Sequence, residues 1–117
     1  MQLLNEIDGV IEELRQTRKR ADKICNSLVR NQDGSYTLPE DLKFLEFNND
    51  DLNKLQKRVS KFAEHRLAVV DAGWRPFWDY AYCENASPVG FWRRALNGID
   101  RDISLLENLR KKVLEQS

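Results

Sequence analysis

From Leu3 to Val29 apolar residues recur at helical spacing. Ile7, Leu14, Ala21 and Leu28 stand one heptad apart, and Leu4, Ile11 and Cys25 fill the companion seam, with Arg18 as its one break. Val10 and Ile24 widen the face, as in a helix that packs along one side of a bundle or coiled coil. The pattern predicts a helix from about Leu3 to Asn31, roughly 40 Å long at 1.5 Å per residue. Such a helix needs partners along its whole length.

Asn31-Gln-Asp-Gly-Ser35 has turn chemistry. Thr37-Leu-Pro-Glu40 then reads as a helix start, with Thr37 as N-cap, Pro39 in the first turn and Glu40 in the capping-box position. That helix is expected to be short, through about Glu46, with Leu42, Leu45 and Phe47 turned inward. Asn48-Asn-Asp-Asp51 caps the next one, its acids at the positive helix end. Leu52, Leu55, Val59 and Phe62 follow at spacings of three and four, continued by Ala63, Leu67 and Val70, with Gly73 as the stop. Pro76 opens about two further turns, through Cys83. Ser87-Pro88 opens a last helix to about Leu114, striped by Phe91/Trp92, Ala95/Leu96, Ile99, Ile103, Leu106, Leu109/Arg110 and Val113. No stretch alternates apolar and polar residues as a half-buried strand would. The expected fold is all-α: one domain over residues 1–117, an antiparallel three-helix bundle with short extra helices. If the segment after Pro76 packs as a helix of its own, it becomes an irregular four-helix bundle.

One stretch departs from this regularity. Trp74 to Trp92 holds all three Trp and seven of the eleven aromatic residues. Such a cluster either plugs the end of a core or anchors a partner, because each ring removes a large apolar area from water. In the first reading the rings close the bundle where two helices meet. In the second, Trp74, Phe77, Trp78, Tyr80 and Trp92 are partner-binding anchors, with Arg75, Arg93 and Arg94 as a polar rim. In the last helix, Gly98 offers close approach to a neighbouring helix or a partner.

Charge adds a second candidate and removes several classes. Lys and Arg together number 19, as do Asp and Glu, so there is no net pull toward nucleic acid or anionic membrane. Locally, Lys54, Arg58, Lys61 and His65 share one helix face, with Lys57 beside them, and form a candidate nucleic-acid-binding stripe. A solvated face is the plainer reading of it. Two cysteines far apart and one histidine do not make a zinc site, so neither metal nor cofactor is expected. A Cys/His hydrolase would need Cys25 or Cys83 to meet His65, and Asp79 with Glu84 is the only carboxylate pair of interest nearby. No catalytic motif is recognisable, and the chain is not expected to be an enzyme. The N-terminus lacks a basic and an apolar signal region, and the longest apolar run is Leu67–Val70. These features point to a cytoplasmic protein with reduced thiols and no membrane span.

Glu64-His-Arg-Leu-Ala68, with Tyr36-Thr-Leu38 before it and Pro88-Val-Gly-Phe-Trp92 after, resembles segments of the Hha/YmoA family of small helical regulators. That family modulates transcription by binding the nucleoid protein H-NS. The resemblance implies Glu64 as an acidic contact and the basic stripe as an aid to DNA association. The intervening gaps are longer here, and the C-terminal helix has no counterpart, so the resemblance does not assign the chain to that family.

The expected function is a protein–protein interaction module, an adaptor, inhibitor or regulator, that binds its partner through the aromatic inter-helix segment. Self-association through the heptad face of the first helix is a close variant. The alternative is a nucleic-acid-associated or transcription-modulating regulator using Lys54, Arg58 and Lys61.

Overall fold

The computed structural model describes residues 2–82 and 87–116. Helix accounts for 73% and strand for 4%, with four helices packed together, so the protein is all-α. The helices are α1 (Gln2–Ser27), α2 (Asn49–Ala63), α3 (Phe77–Ala81) and α4 (Pro88–Gln116). The two long ones run antiparallel: Asp8 pairs with Arg110, Arg15 with Glu107 and Arg18 with Asp100. Arg18, the break in the heptad seam, is thus a bridging residue at the edge of the α1–α4 contact. The α2 helix also runs antiparallel to α1, with Arg58 on Glu13 and Phe47 beside Arg20.

Several boundaries differ from the expected ones, each for a local reason. Helix α1 ends at Ser27 instead of near Asn31, because Val29–Arg30 (β1) and Tyr36–Thr37 (β2) pair as a small antiparallel hairpin. The turn between them closes on Asn31 and Ser35, and Gly34 takes φ +88°, a left-handed conformation that glycine adopts without strain. Thr37 therefore sits in a strand and caps nothing. Glu40–Leu45 forms a 3-10 helix whose N-cap is Pro39, without a side-chain cap bond.

The Asn48 cap forms as expected, its side chain accepting the Asp50 N–H at 2.8 Å. Helix α2 nevertheless ends at Ala63, well before Gly73. His65 Nδ1 accepts the Leu67 N–H at 3.1 Å, a local bond that competes with continuation of the helix. The chain then returns as an irregular connector to Pro76, where the short α3 begins. Phe77 lies by Asp102, Tyr80 by Gly98 and Tyr82 against Phe91, so α3 runs antiparallel to α4. Ser87 Oγ accepts the Gly90 N–H at 3.0 Å and starts α4 as expected.

One main core joins Ile7, Val10, Ile11 and Leu14 of α1 to Leu52, Leu55, Val59 and Phe62 of α2, Phe77 and Trp78 of α3, and Ile99, Leu105, Leu106 and Leu109 of α4. Ile7 and Leu14 are fully buried in this way, so the heptad face is already covered within one chain. A smaller cluster of Ile24, Leu38 and Leu45 closes the other end of α1, with Leu28, Leu42, Phe47 and Trp92 against it.

Candidate interaction site

The aromatic stretch is positioned by polar groups from two other helices. A helix start leaves its first N–H groups without partners. At α3 the Phe77 N–H donates to Asp102 Oδ2 of α4 at 2.9 Å, and the Asp79 N–H to Gln56 Oε1 of α2 at 2.8 Å. Asp102 also accepts the Trp74 indole N–H at 3.1 Å. All three groups facing this carboxylate, Arg101 included, are donors. Burial pushes its pKa up to about 6, against the lowering effect of Arg101, Trp74 and Phe77.

Close approach completes the fit. A Cβ on Gly98 would stand 3.0 Å from Phe77 Cα and 3.1 Å from Tyr80 Cδ1. The expectation of close packing at Gly98 therefore holds, and the neighbour is α3. Over the outer side, Arg94 and Arg101 each stack on Tyr80 at 4.6 Å, and Arg101 lies 5.7 Å from the Trp74 ring. Arg94 donates to the Tyr80 carbonyl at 2.8 Å, and Arg101 to that of Arg75.

Further along, Trp78 stands at the centre of an aromatic cluster. Phe91 meets it edge-on at 4.9 Å between centroids, Trp92 and Tyr82 at 5.8 Å and Phe47 at 6.5 Å. Trp92 and Phe47 are 5.8 Å apart and only half-buried. Beside them a cavity of about 400 Å³ opens between the end of α1, the hairpin, the 3-10 helix and the start of α4. Phe47, Trp78 and Trp92 line it with Ile24, Leu28 and Leu38, while Tyr36, Lys43, Glu46 and Asn49 supply polar groups.

The expected anchors therefore divide. Phe77 is fully buried and Trp78 is 9% exposed, so both are core residues in the free chain. Trp74 and Tyr80 are half-buried and already engaged, by Asp102 and by arginines. Trp92 is the one of the five that lines the cavity with area to spare. Of the rim, Arg75 and Arg93 are exposed, whereas Arg94 is half-buried against Tyr80 and is a scaffold residue.

On α2, Lys54 and Lys61 are exposed, but Arg58 closes on Glu13 at 2.5 Å. Half-buried His65 is occupied by its bond to Leu67. Cys25 is a free thiol near the end of α1; His65 follows the end of α2, and that end packs near Glu6 and Val10 at the other half of α1. Cys83 and Glu84 lie outside the described residues. Among the described residues no group of three or more His, Cys, Asp or Glu is placed to hold a metal ion. No helix of the structure is long and apolar enough to cross a membrane.

Asp102, Gln56 and Glu46 were not singled out by sequence reasoning, and Phe47 was expected only to turn inward against the bundle. Asp102 did leave a signal: Ile99, Asp102, Leu106 and Leu109 are spaced three, four and three, which places a carboxylate on the buried face. Gln56 stands likewise between Leu55 and Val59. Glu46 left none, and the place of Phe47 at a cavity was not legible either, because the return of the 3-10 segment onto α1 is a tertiary event.

In comparison with known proteins, the chain matches no family model, no curated protein and no solved structure. The Glu64–Ala68 segment that resembles Hha/YmoA regulators forms the turn leaving α2, with Glu64 as its exposed C-cap.

Proposed function

We propose that this protein is a non-catalytic, cytoplasmic interaction module that binds a protein partner at the aromatic end of the bundle. Trp92 and Phe47 form the contact floor, Trp78 supports them from the core, and Arg93 stands exposed on the same helix as Trp92. The observation that carries this reading is the open cavity of about 400 Å³ against two half-buried aromatic rings. Trp74 and Tyr80, by contrast, are covered by the chain's own arginines. An aromatic floor with a polar rim is the usual anatomy of a binding hot spot. Our refinement of the bundle is an up-down-up-down chain whose third passage is mostly connector and ends in α3.

The test compares wild type with Trp92→Ala and with Lys54→Ala/Lys61→Ala in retention of proteins from a cytoplasmic extract at low and high salt. The reading expects a retained partner that survives high salt and the lysine changes but is lost with Trp92→Ala. Retention that collapses with salt and with the lysine changes, and is indifferent to Trp92, would favour the nucleic-acid-associated reading. Arg58 on Glu13 already weakens that alternative, because it neutralises one of the three basic residues proposed for it.

A further inference from the structure

We infer that the aromatic cavity takes an arginine side chain of the partner protein, its guanidinium stacked on Trp92 and paired with the Glu46 carboxylate. The inference rests on the binding reading above and names the chemistry of the occupant. Three observations converge on it.

First, the chain repeatedly lays its own guanidinium groups over half-buried rings. Arg20 lies 4.6 Å over Phe47, Arg94 and Arg101 lie 4.6 Å over Tyr80, and Arg101 lies 5.7 Å from Trp74. Among the described residues Trp92 has no such cation, although it is half-buried and lines the cavity. Trp is also the aromatic side chain with the strongest attraction for cations.

Second, Glu46 lines the same cavity, and among the described residues its carboxylate accepts no hydrogen bond and meets no cation. Its backbone is held, since Arg20 donates to the carbonyls of Phe44, Leu45 and Glu46. The carboxylate is therefore presented from a fixed backbone yet left without a partner. The one cation on the rim, Lys43, is already paired with Glu40 at 3.2 Å. Of the two charged residues lining the cavity, Lys43 and Glu46, Glu46 is the one without an ion pair among the described residues.

Third, shape favours a long side chain. The walls of Ile24, Leu28 and Leu38 are apolar, and suit the methylene stem of a residue whose charge lies at its tip. Arginine fits better than lysine, because a planar guanidinium can lie flat on an indole and donate two parallel bonds to a carboxylate at once.

The experiment uses the full chain and three capped probes: N-acetyl-arginine methylamide, the citrulline analogue and the lysine analogue. Citrulline has nearly the shape of arginine and no charge. Indole N–H resonances of the three tryptophans are followed during titration, with wild type and Glu46→Gln. Glu46 is exposed and accepts no bond through its carboxylate, so the substitution leaves the fold intact. The expected result is a saturable shift of the Trp92 resonance by the arginine probe, at least five-fold weaker with citrulline and with Glu46→Gln, and weakened by salt.

Equal binding of citrulline and arginine would overturn the inference while leaving an aromatic binding site standing. Preference for lysine would overturn the guanidinium assignment. No response of Trp92 to any probe would overturn the inference, whereas the interaction-module reading is judged separately by its Trp92-dependent partner. Self-association of the unliganded chain that vanishes with Glu46→Gln would replace the partner by a second copy.

Discussion

Asp102, in the middle of α4, accepts the backbone N–H of Phe77, the first residue of α3, at 2.9 Å. The start of the aromatic helix is therefore capped by a residue 25 positions away in sequence. The same carboxylate holds the Trp74 indole, so one buried acid fixes both ends of the Trp74–Phe77 passage. Trp78 follows directly and lines the cavity, which links this cap to the proposed binding surface.

That relationship predicts a pH dependence with a definite sign. Asp102 titrates near 6 in the folded protein and near its ordinary 3.8 when exposed by unfolding. Between these values the folded state binds the proton more tightly. The group's contribution to stability is therefore full below about pH 4 and is lost as pH rises through 6. Across that window wild type should lose on the order of 2–3 kcal/mol relative to Asp102→Asn. Urea unfolding of both proteins at pH 4 and pH 7 measures the change; a constant difference would show that Asp102 titrates like an exposed acid.

The close approach at Gly98 predicts opposite outcomes for two helical glycines. Alanine is favoured over glycine in a helix interior by about 1 kcal/mol. At Gly9 the nearest atom to an added Cβ is the end of Arg58, at 3.9 Å, so Gly9→Ala should stabilise by up to that amount. At Gly98 the Cβ meets Phe77 Cα at 3.0 Å, backbone that cannot swing aside. Gly98→Ala should cost about 1–3 kcal/mol, as overpacking does. Thermal denaturation of the two variants should move Tm in opposite directions.

The two cavity tryptophans should separate stability from recognition. Trp78→Ala removes a side chain that is 9% exposed and should cost about 3–5 kcal/mol. Trp92→Ala should cost clearly less, because the half-buried ring keeps part of its surface in water. Acrylamide quenching should correspondingly find one protected and two partly accessible tryptophans, and Trp92→Ala should remove part of the accessible fraction. Uniform quenching of all three would contradict the observed burial.

Arg20 holds the rim of the cavity through three carbonyls, with Nε on Leu45 at 2.6 Å and Nη2 on Phe44 at 3.2 Å and on Glu46. Arg20→Ala should destabilise by about 1–3 kcal/mol, the usual loss when charge-assisted bonds are removed. Lysine should not rescue it, because one ammonium does not reproduce the guanidinium fork. Hydrogen exchange should speed up in residues 40–47 while the centre of α1 stays protected.

The exposed pairs between α1 and α4 should behave differently from these buried devices. Arg18 and Asp100 lie 2.5 Å apart with side chains 41% and 51% exposed. Arg18→Ala should change stability by less than about 1 kcal/mol, and less still in high salt. A larger effect, read by urea unfolding at two salt concentrations, would mean the pair sets the α1–α4 register.

By itself the sequence determined the elements that local chemistry controls. The heptad face of α1 and the stripe on α4 follow from helical periodicity, because only one side of each helix can be buried. The Asn48 and Ser87 caps follow from side chains that reach their own backbone. The glycine turn at Gly34 follows from a conformation that costs other residues energy. Periodicity did not show where competing preferences ended. Leu67 and Val70 fit the rhythm of α2, yet His65 and the returning connector end it at Ala63, and Val29 pairs with Thr37 instead of extending α1. Tertiary structure decided which aromatic rings are spent inside. Composition ranks Phe77 and Trp92 alike, whereas Asp102, Gly98 and Gln56 draw α3 into the core and leave Trp92 at a cavity beside Glu46. The physical reason is that burial depends on contacts between segments far apart in the chain, and helical periodicity carries no record of which segment will supply them.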